Sequence, residues 1–194
     1  YFVDRARGVL YWKPPPPAPT AATAGAAGGG VVSLLPRVLA IENATDVTFR
    51  GIAFLHARAN GVDALHSTRL ALHDCVIANH GNLAVNFTNC TDSEIADCTI
   101  SDTGDGGVWL EGGNRSALES ANVTVRGCSF VRFNRWSRTY RPAATLFGAG
   151  MGFVGNECRD APHQCVMVVG NLHTVSDSVF ANNLFESSDS GVIY

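Results

Sequence analysis

The chain has 194 residues, 16% of them charged, and a formal net charge of −3. That length can bury one sizeable core. The near-neutral balance argues against nucleic acid or an anionic membrane surface as partner, and no 18-residue apolar run is present to span a bilayer.

In chain order, residues 1–12 alternate around Arg7-Gly8 and predict a β-hairpin. Residues 13–30, KPPPPAPTAATAGAAGGG, are rich in Pro, then Ala, then Gly, and predict a disordered loop that joins no core. An apolar strand is expected at Val31–Leu35, and the first full coil from Val38–Ile41. From there residues 31–194 repeat themselves.

Aligned on one apolar position, the copies begin at Phe49, Leu72, Ile95, Val125, Phe153 and Phe180, with intervals of 23, 23, 30, 28 and 27 residues. Three places on stand Ile52, Cys75, Cys98, Cys128, Asn156 and Asn183; five places on stand Phe54, Ile77, Ile100, Phe130, Cys158 and Phe185. Short β-prone runs at this period, punctuated by Gly, Asn and Asp, are the mark of a solenoid whose rungs bury their apolar faces only by stacking. The fold expected is all-β: a right-handed parallel β-helix of the pectin-lyase-like kind, with about six coils. A β-sandwich would not place Cys over Cys and Asn over Asn.

The six cysteines allow 15 full pairings. Three share one ladder, which favours small buried thiols over bridges; Cys158 and Cys165 stand close enough to pair across a turn. No spacing suggests a metal site. Acceptor tripeptides for N-glycosylation start at Asn43, Asn86, Asn89, Asn114 and Asn122, which predicts a secreted or cell-surface protein. The first residue is not Met and the last ones are apolar, so the chain reads as a fragment of a longer protein.

Two excursions interrupt the coils, Glu111–Ala121 and Asn134–Pro142. Such insertions map to loops, and loops commonly form the working face. The second excursion carries Arg132, Arg135, Arg138 and Arg141 with Phe133, Trp136 and Tyr140 between them. Aromatic faces and Arg forks suit a hydroxyl-rich or acidic glycan; the same arginines could instead clamp neighbouring coils.

Counting from the ladder puts Asp105 and His163 in one turn column, with Asp189 near it and Asp160 and Glu186 a few residues earlier in their coils. Adjacent coils are about 4.8 Å apart. Glycoside hydrolysis needs carboxyls about 5 to 5.5 Å or about 6.5 to 9.5 Å apart. Asp160 with Asp189 or Glu186 is therefore the candidate catalytic pair, with His163 to move or tune a proton, whereas Asp105 lies about three coils off. Alone, any such Asp could equally cap its own turn.

Five runs, GDGGVWLEGGNR (Gly104 to Arg115), FNRWSRTYRP (Phe133 to Pro142), DAPH (Asp160 to His163), GNLH (Gly170 to His173) and ESSDSGVIY (Glu186 to Tyr194), with the opening FVDRARGVLYW, resemble the right-handed β-helix proteins related to glycoside hydrolase family 141. The resemblance implies an extracellular enzyme acting on cell-wall-type polysaccharide or oligosaccharide by paired-carboxylate chemistry, without a cofactor. Carried over, Asp105, Arg138, Tyr140, Arg141, Asp160, His163, Glu186 and Asp189 fall in the shared motifs. Leu172 stands where the group has Asp. The function expected is glycoside hydrolysis by Asp160, Asp189, Glu186 and His163, with Asp105, Arg135, Trp136, Arg138, Tyr140 and Arg141 binding substrate. A non-catalytic glycan- or protein-binding solenoid is the alternative. A polysaccharide lyase comes after it, since no clustered Asp offers a Ca²⁺ site.

Overall fold

The structure is a computed structural model that describes residues 2–13 and 31–194; the predicted loop lies, from residue 14 to 30, outside the described residues. The chain divides into two compact units between Val32 and Ser33. In the first, Phe2–Asp4 and Val9–Tyr11 pair antiparallel as the predicted hairpin. Its turn closes because Gly8 takes a positive φ and the Asp4 carboxylate accepts the Ala6 and Arg7 amides.

The second unit is a right-handed parallel β-helix of three six-stranded sheets, with no helix among the described residues. Sheet I comprises Arg37–Glu42, Asn60–Leu65, Val85–Thr88, Val108–Gly112, Ala144–Ala149 and Val166–Asn171. Sheet II comprises Thr45–Arg50, Thr68–His73, Ser93–Ala96, Val123–Arg126, Met151–Val154 and Thr174–Ser176. Sheet III comprises Ala53–Leu55, Val76–Ala78, Thr99–Ser101, Ser129–Val131, Glu157–Ala161 and Val179–Asn183. Each coil runs I, II, III, and every strand pairs in parallel with its equivalents above and below. Val31–Leu35 is not a strand; the carbonyls of Leu35 and Pro36 instead accept the Arg58 and Ala59 amides of the third corner, so strand pairing starts at Arg37.

Alternation along each strand sends one face inward, and parallel register turns that face into files. Val85, Val108, Ala144 and Val166 form one file of sheet I; Phe54, Ile77, Ile100, Phe130, Cys158 and Phe180 form the file of sheet III. The interior is partly aromatic: Phe130 and Phe153 lie 5.7 Å apart, and Phe153 stacks on Phe180 at 6.3 Å.

The corners explain much of the sequence. The second corner, from sheet II to III, is a single left-handed residue repeated in every coil: Gly51, Asp74, Asp97, Gly127, Gly155 and Asp177. The third corner, from III back to I, opens with another such file: His56, Asn79, Asp102, Arg132, Asp160 and Asn182. Gly reaches this conformation without steric cost and Asn and Asp tolerate it best, which is why 13 of the 22 non-glycine residues with positive φ among the described residues are Asn or Asp.

In coils three to six the side chain after the second-corner residue accepts the amide of the coil below. Cys75 N–H donates to Cys98 Sγ (3.4 Å), Cys98 N–H to Cys128 Sγ (3.4 Å), Cys128 N–H to Asn156 Oδ1 (2.8 Å) and Asn156 N–H to Ser178 Oγ (3.1 Å). The predicted cysteine file is thus present, and two of its three thiols, those of Cys98 and Cys128, accept amides from the coil below. The hydrogen bond with Cys128 and burial push the Cys98 thiol up; burial, with the neighbouring Cys98 adding to it, raises Cys75, and burial raises Cys90.

The sixth coil departs from the predicted register. Phe153 pairs with Val175 after 22 residues, not with Phe180, and Phe180 pairs with Cys158. Asn183 and Phe185 are therefore not members of the files expected for them; Ser178 and Phe180 are. Phe180-Ala-Asn-Asn183 imitates Phe153-Val-Gly-Asn156 in spelling, but the turn is set by Asp177, whose left-handed backbone aligns Asp177-Ser-Val-Phe180 with Asp97-Cys-Thr-Ile100.

Candidate functional site

The two excursions rise from the same coil, the fourth, but from different corners. Glu111–Ala121 leaves the first corner, where Asn114 and Glu119 exchange backbone hydrogen bonds of 2.9 and 3.0 Å across a tight loop. Asn134–Pro142 leaves the third. The two therefore flank opposite edges of sheet I, whose outer face forms the floor of a trough between them. Trp109 and Phe147 stack there at 6.0 Å, with Asn86 and Thr145 in register beside Trp109.

The arm is fixed to the coils by charge. Its first turn lies on coil three, with the Asn134, Arg135 and Trp136 amides donating to Asp105, Thr103 and Gly104 carbonyls. Arg132 and Arg135 both meet Asp102, whose carboxyl is held below its usual range by the hydrogen bonds from Arg132. Arg138 forks onto Glu186, with Nε donating to Oε2 at 2.7 Å and Nη2 to Oε1. Arg141 Nε lies 3.6 Å from Asp105 Oδ2, and Ser137 donates its hydroxyl to the other Asp105 oxygen. The arginines thus do serve as clamps on neighbouring coils. Trp136 does not: it is 73% exposed and is not among the residues that line the cleft beneath the arm.

Clamping leaves a cleft of about 190 Å³ where the arm overhangs sheet I, lined by Asn82, Leu83, Asp105, Trp109, Tyr140, Arg141 and Thr145. Asp105, predicted to bind substrate outside the catalytic pair, is the one carboxylate in its lining. Tyr140 sits over His163 with ring centroids 4.8 Å apart, and Tyr194 meets Tyr140 edge-on at 6.4 Å. His163 is 2% exposed; its Nδ1 accepts the Tyr140 amide at 3.4 Å, while Nε2 has no hydrogen-bond partner among the described residues. An acceptor at Nδ1 is the neutral ring. His163 is held there by the Cys158–Cys165 disulfide, which closes the corner across the interior; the other four cysteines are free and buried.

Neither member of the predicted carboxylate pair lines this cleft. Asp160 is a left-handed third-corner residue, exposed, and its carboxylate accepts the Asn182 side-chain amide at 2.6 Å. The corner backbone accounts for an Asp at 160; it does not account for Asp105 or Asp189, neither of which has a positive φ. Asp189 is exposed and has no hydrogen bond or ion pair among the described residues. Ser190, not Asp189, lies in the His163 file, since Val166 bridges Ile193 and the Ser190 hydroxyl donates to Gln164 Oε1 at 3.0 Å. Glu186 is taken by Arg138. Among the described residues no group of three His, Cys, Asp or Glu is arranged to hold a metal.

Sequence reasoning missed Trp109 and Thr145, floor residues of the cleft. The signal was the strict alternation of Val108-Trp-Leu-Glu-Gly112, which puts Trp109 on the outward face beside Asp105.

The family described as right handed beta helix region matches residues 38–135 of this chain. No curated protein matches the sequence. Among solved structures, the crystal structure of alginate lyase from Paenibacillus sp. str. FPU-7 aligns with a TM-score of 0.51 and 15% identity, over 88% of this chain and 80% of that chain. A likeness at that identity is one of fold. The matched family is broader than the glycoside hydrolase group that the motifs resemble.

Proposed function

We propose that this chain, which belongs to the right-handed β-helix family, is a carbohydrate-active protein that lays an acidic polysaccharide along the outer face of sheet I and cleaves it by elimination in the cleft beneath the arm. The observation that carries the reading is the composition of that cleft: one arginine, one tyrosine over a buried histidine, one carboxylate and an aromatic floor. Two-carboxylate hydrolysis would require a second carboxyl within about 9.5 Å on the other side of the scissile bond, and the cleft lining holds only Asp105. The alginate lyase that shares the fold is a polysaccharide lyase by name, which agrees with elimination.

In this reading Arg141 pairs with a uronate carboxylate, which lowers the barrier to removing the neighbouring C5 hydrogen by stabilising the charge that develops. Ionised Tyr140 takes that proton. The C4–O bond breaks, a C4=C5 double bond forms, and the phenol returns the proton to the departing sugar oxygen. Asp105 holds Arg141 and Ser137 in place, and His163 fixes the Tyr140 backbone. Trp109 and Phe147 supply apolar faces for sugar rings.

A hydrolytic reading keeps one supporting observation, the unpartnered and exposed Asp189, which would work with Asp160 or Glu186. A panel of uronate-containing and neutral cell-wall polysaccharides separates the readings. Elimination yields new reducing ends together with the ultraviolet absorbance of an unsaturated product; reducing ends without that absorbance would move the assignment to Asp189, and neither signal would leave a binding solenoid. Tyr140→Phe should then lower kcat about 10²- to 10⁴-fold, with sheet content unchanged.

A further inference from the structure

The five acceptor tripeptides are not scattered over the solenoid. Asn43 and Asn89 occupy the same place at the first corner of coils one and three, Asn122 immediately precedes the sheet II strand of coil four, and Asn114 lies in the excursion that leaves the first corner of that coil. All four are exposed. The fifth, Asn86, is half-buried mid-strand on sheet I, in register between Asp63 and Trp109, with its Oδ1 accepting the Thr88 hydroxyl at 3.2 Å. It stands in the trough floor, three residues from Asn89.

Backbone chemistry explains Asn43, Asn89 and Asn122, which all have positive φ, but not Asn114, which does not. Asn114 Oδ1 accepts the Ser116 and Ala117 amides at 3.1 Å each, so its Nδ2 is the part left without a partner among the described residues. Asn122 Nδ2 spends one hydrogen on Asp92 Oδ1 at 2.8 Å, and its second remains available.

We infer that the first corner is an N-glycosylation face, modified at Asn43, Asn89, Asn114 and Asn122, and that Asn86 is left bare. The inference stands apart from the proposed activity. In the modifying step, Asn Nδ2 attacks the anomeric carbon of an oligosaccharide carried on a lipid pyrophosphate. The N–C1 bond forms, the C1–O bond to pyrophosphate breaks, the lipid pyrophosphate leaves, and one amide proton is lost to base. The glycans then wall off one edge of sheet I with hydrated bulk, while the opposite edge and the trough floor stay clear for a polymer.

The test is to express the chain behind a cleavable secretion signal in a cell that performs N-glycosylation. The purified protein is released from its glycans by an amidase in ¹⁸O-water, and the asparagines that become labelled aspartate are mapped by mass spectrometry. Label at the four corner positions and none at Asn86 is expected. Label at Asn86, or unlabelled corner positions in the purified protein, overturns the inference. Ser116→Ala, an exposed change in the excursion, should remove one glycan from the ladder of partly digested forms without shifting the unfolding temperature; an unchanged ladder overturns the assignment of Asn114.

Discussion

His80 offers the sharpest quantitative test of how this solenoid is held together. It lies at the third corner of coil two, 2% exposed, with Nδ1 accepting the Ala57 amide at 3.1 Å and Nε2 at 3.1 Å from the Phe54 carbonyl. Both nitrogens are satisfied only in the neutral ring that carries its hydrogen on Nε2. A second proton would face the Ala57 donor with another donor. Burial pushes the histidine from its ordinary 6.5 down to about 4, against the Phe54 hydrogen bond, which favours the charged ring. Because the folded value is depressed, the stabilisation is fully present above pH 6.5 and is lost as pH falls from there toward 4. At pH 4.5 those two values correspond to about 2.5 kcal/mol, a large part of a typical 5 to 15 kcal/mol total. Urea unfolding at pH 7 and pH 4.5 should therefore show wild type losing about 2.5 kcal/mol more than His80→Gln, which cannot titrate. Equal losses in the two proteins would refute the reasoning, since every other titrating group is common to both.

Truncating Phe130→Ala, fully buried between the sheet III file and Phe153, should cost about 3 to 5 kcal/mol in thermal or urea unfolding. Replacing both Cys158 and Cys165 by Ala opens a short covalent loop and should cost about 2.5 kcal/mol on chain-entropy grounds, read by the same assay under oxidising conditions. The four free thiols should resist an aqueous thiol reagent until denaturant is added, because all are buried and burial or hydrogen bonding raises Cys75, Cys90 and Cys98; a fast native reaction would contradict the file. Arg138→Ala should change global stability by less than about 1 kcal/mol, as an exposed pair contributes little, yet it should speed protease cleavage within Asn134–Pro142. Restoration of resistance by pairing Arg138→Glu with Glu186→Arg would identify the ion pair as the clamp.

Much of the architecture was legible because stacking makes inward residues repeat at the winding period. Leu72, Ile95, Val125 and Phe153 were aligned correctly from spelling alone, and so were the three cysteines. The sixth winding was misread because two different Phe-x-x-Asn strings compete there and only the left-handed backbone at Asp177 decides between them. The site was less legible. A carboxylate in a turn looks the same in sequence whether it serves the backbone, as Asp160 does, or lines a cleft, as Asp105 does; the difference lies in φ and in which side of the sheet the corner opens toward. The arm was recognisable by composition, but its partners Asp102, Asp105 and Glu186 come from coils three and six, and no local pattern announces such pairs.

The side-chain acceptors at the corners give the fold a direction. Among the described residues, in nine of ten cases where a backbone amide bonds to a side chain of another winding, that side chain comes from the winding later in the chain. Each turn of the spiral is thus left chemically incomplete until its successor arrives, and damage to a corner acceptor should loosen the rung beneath it first.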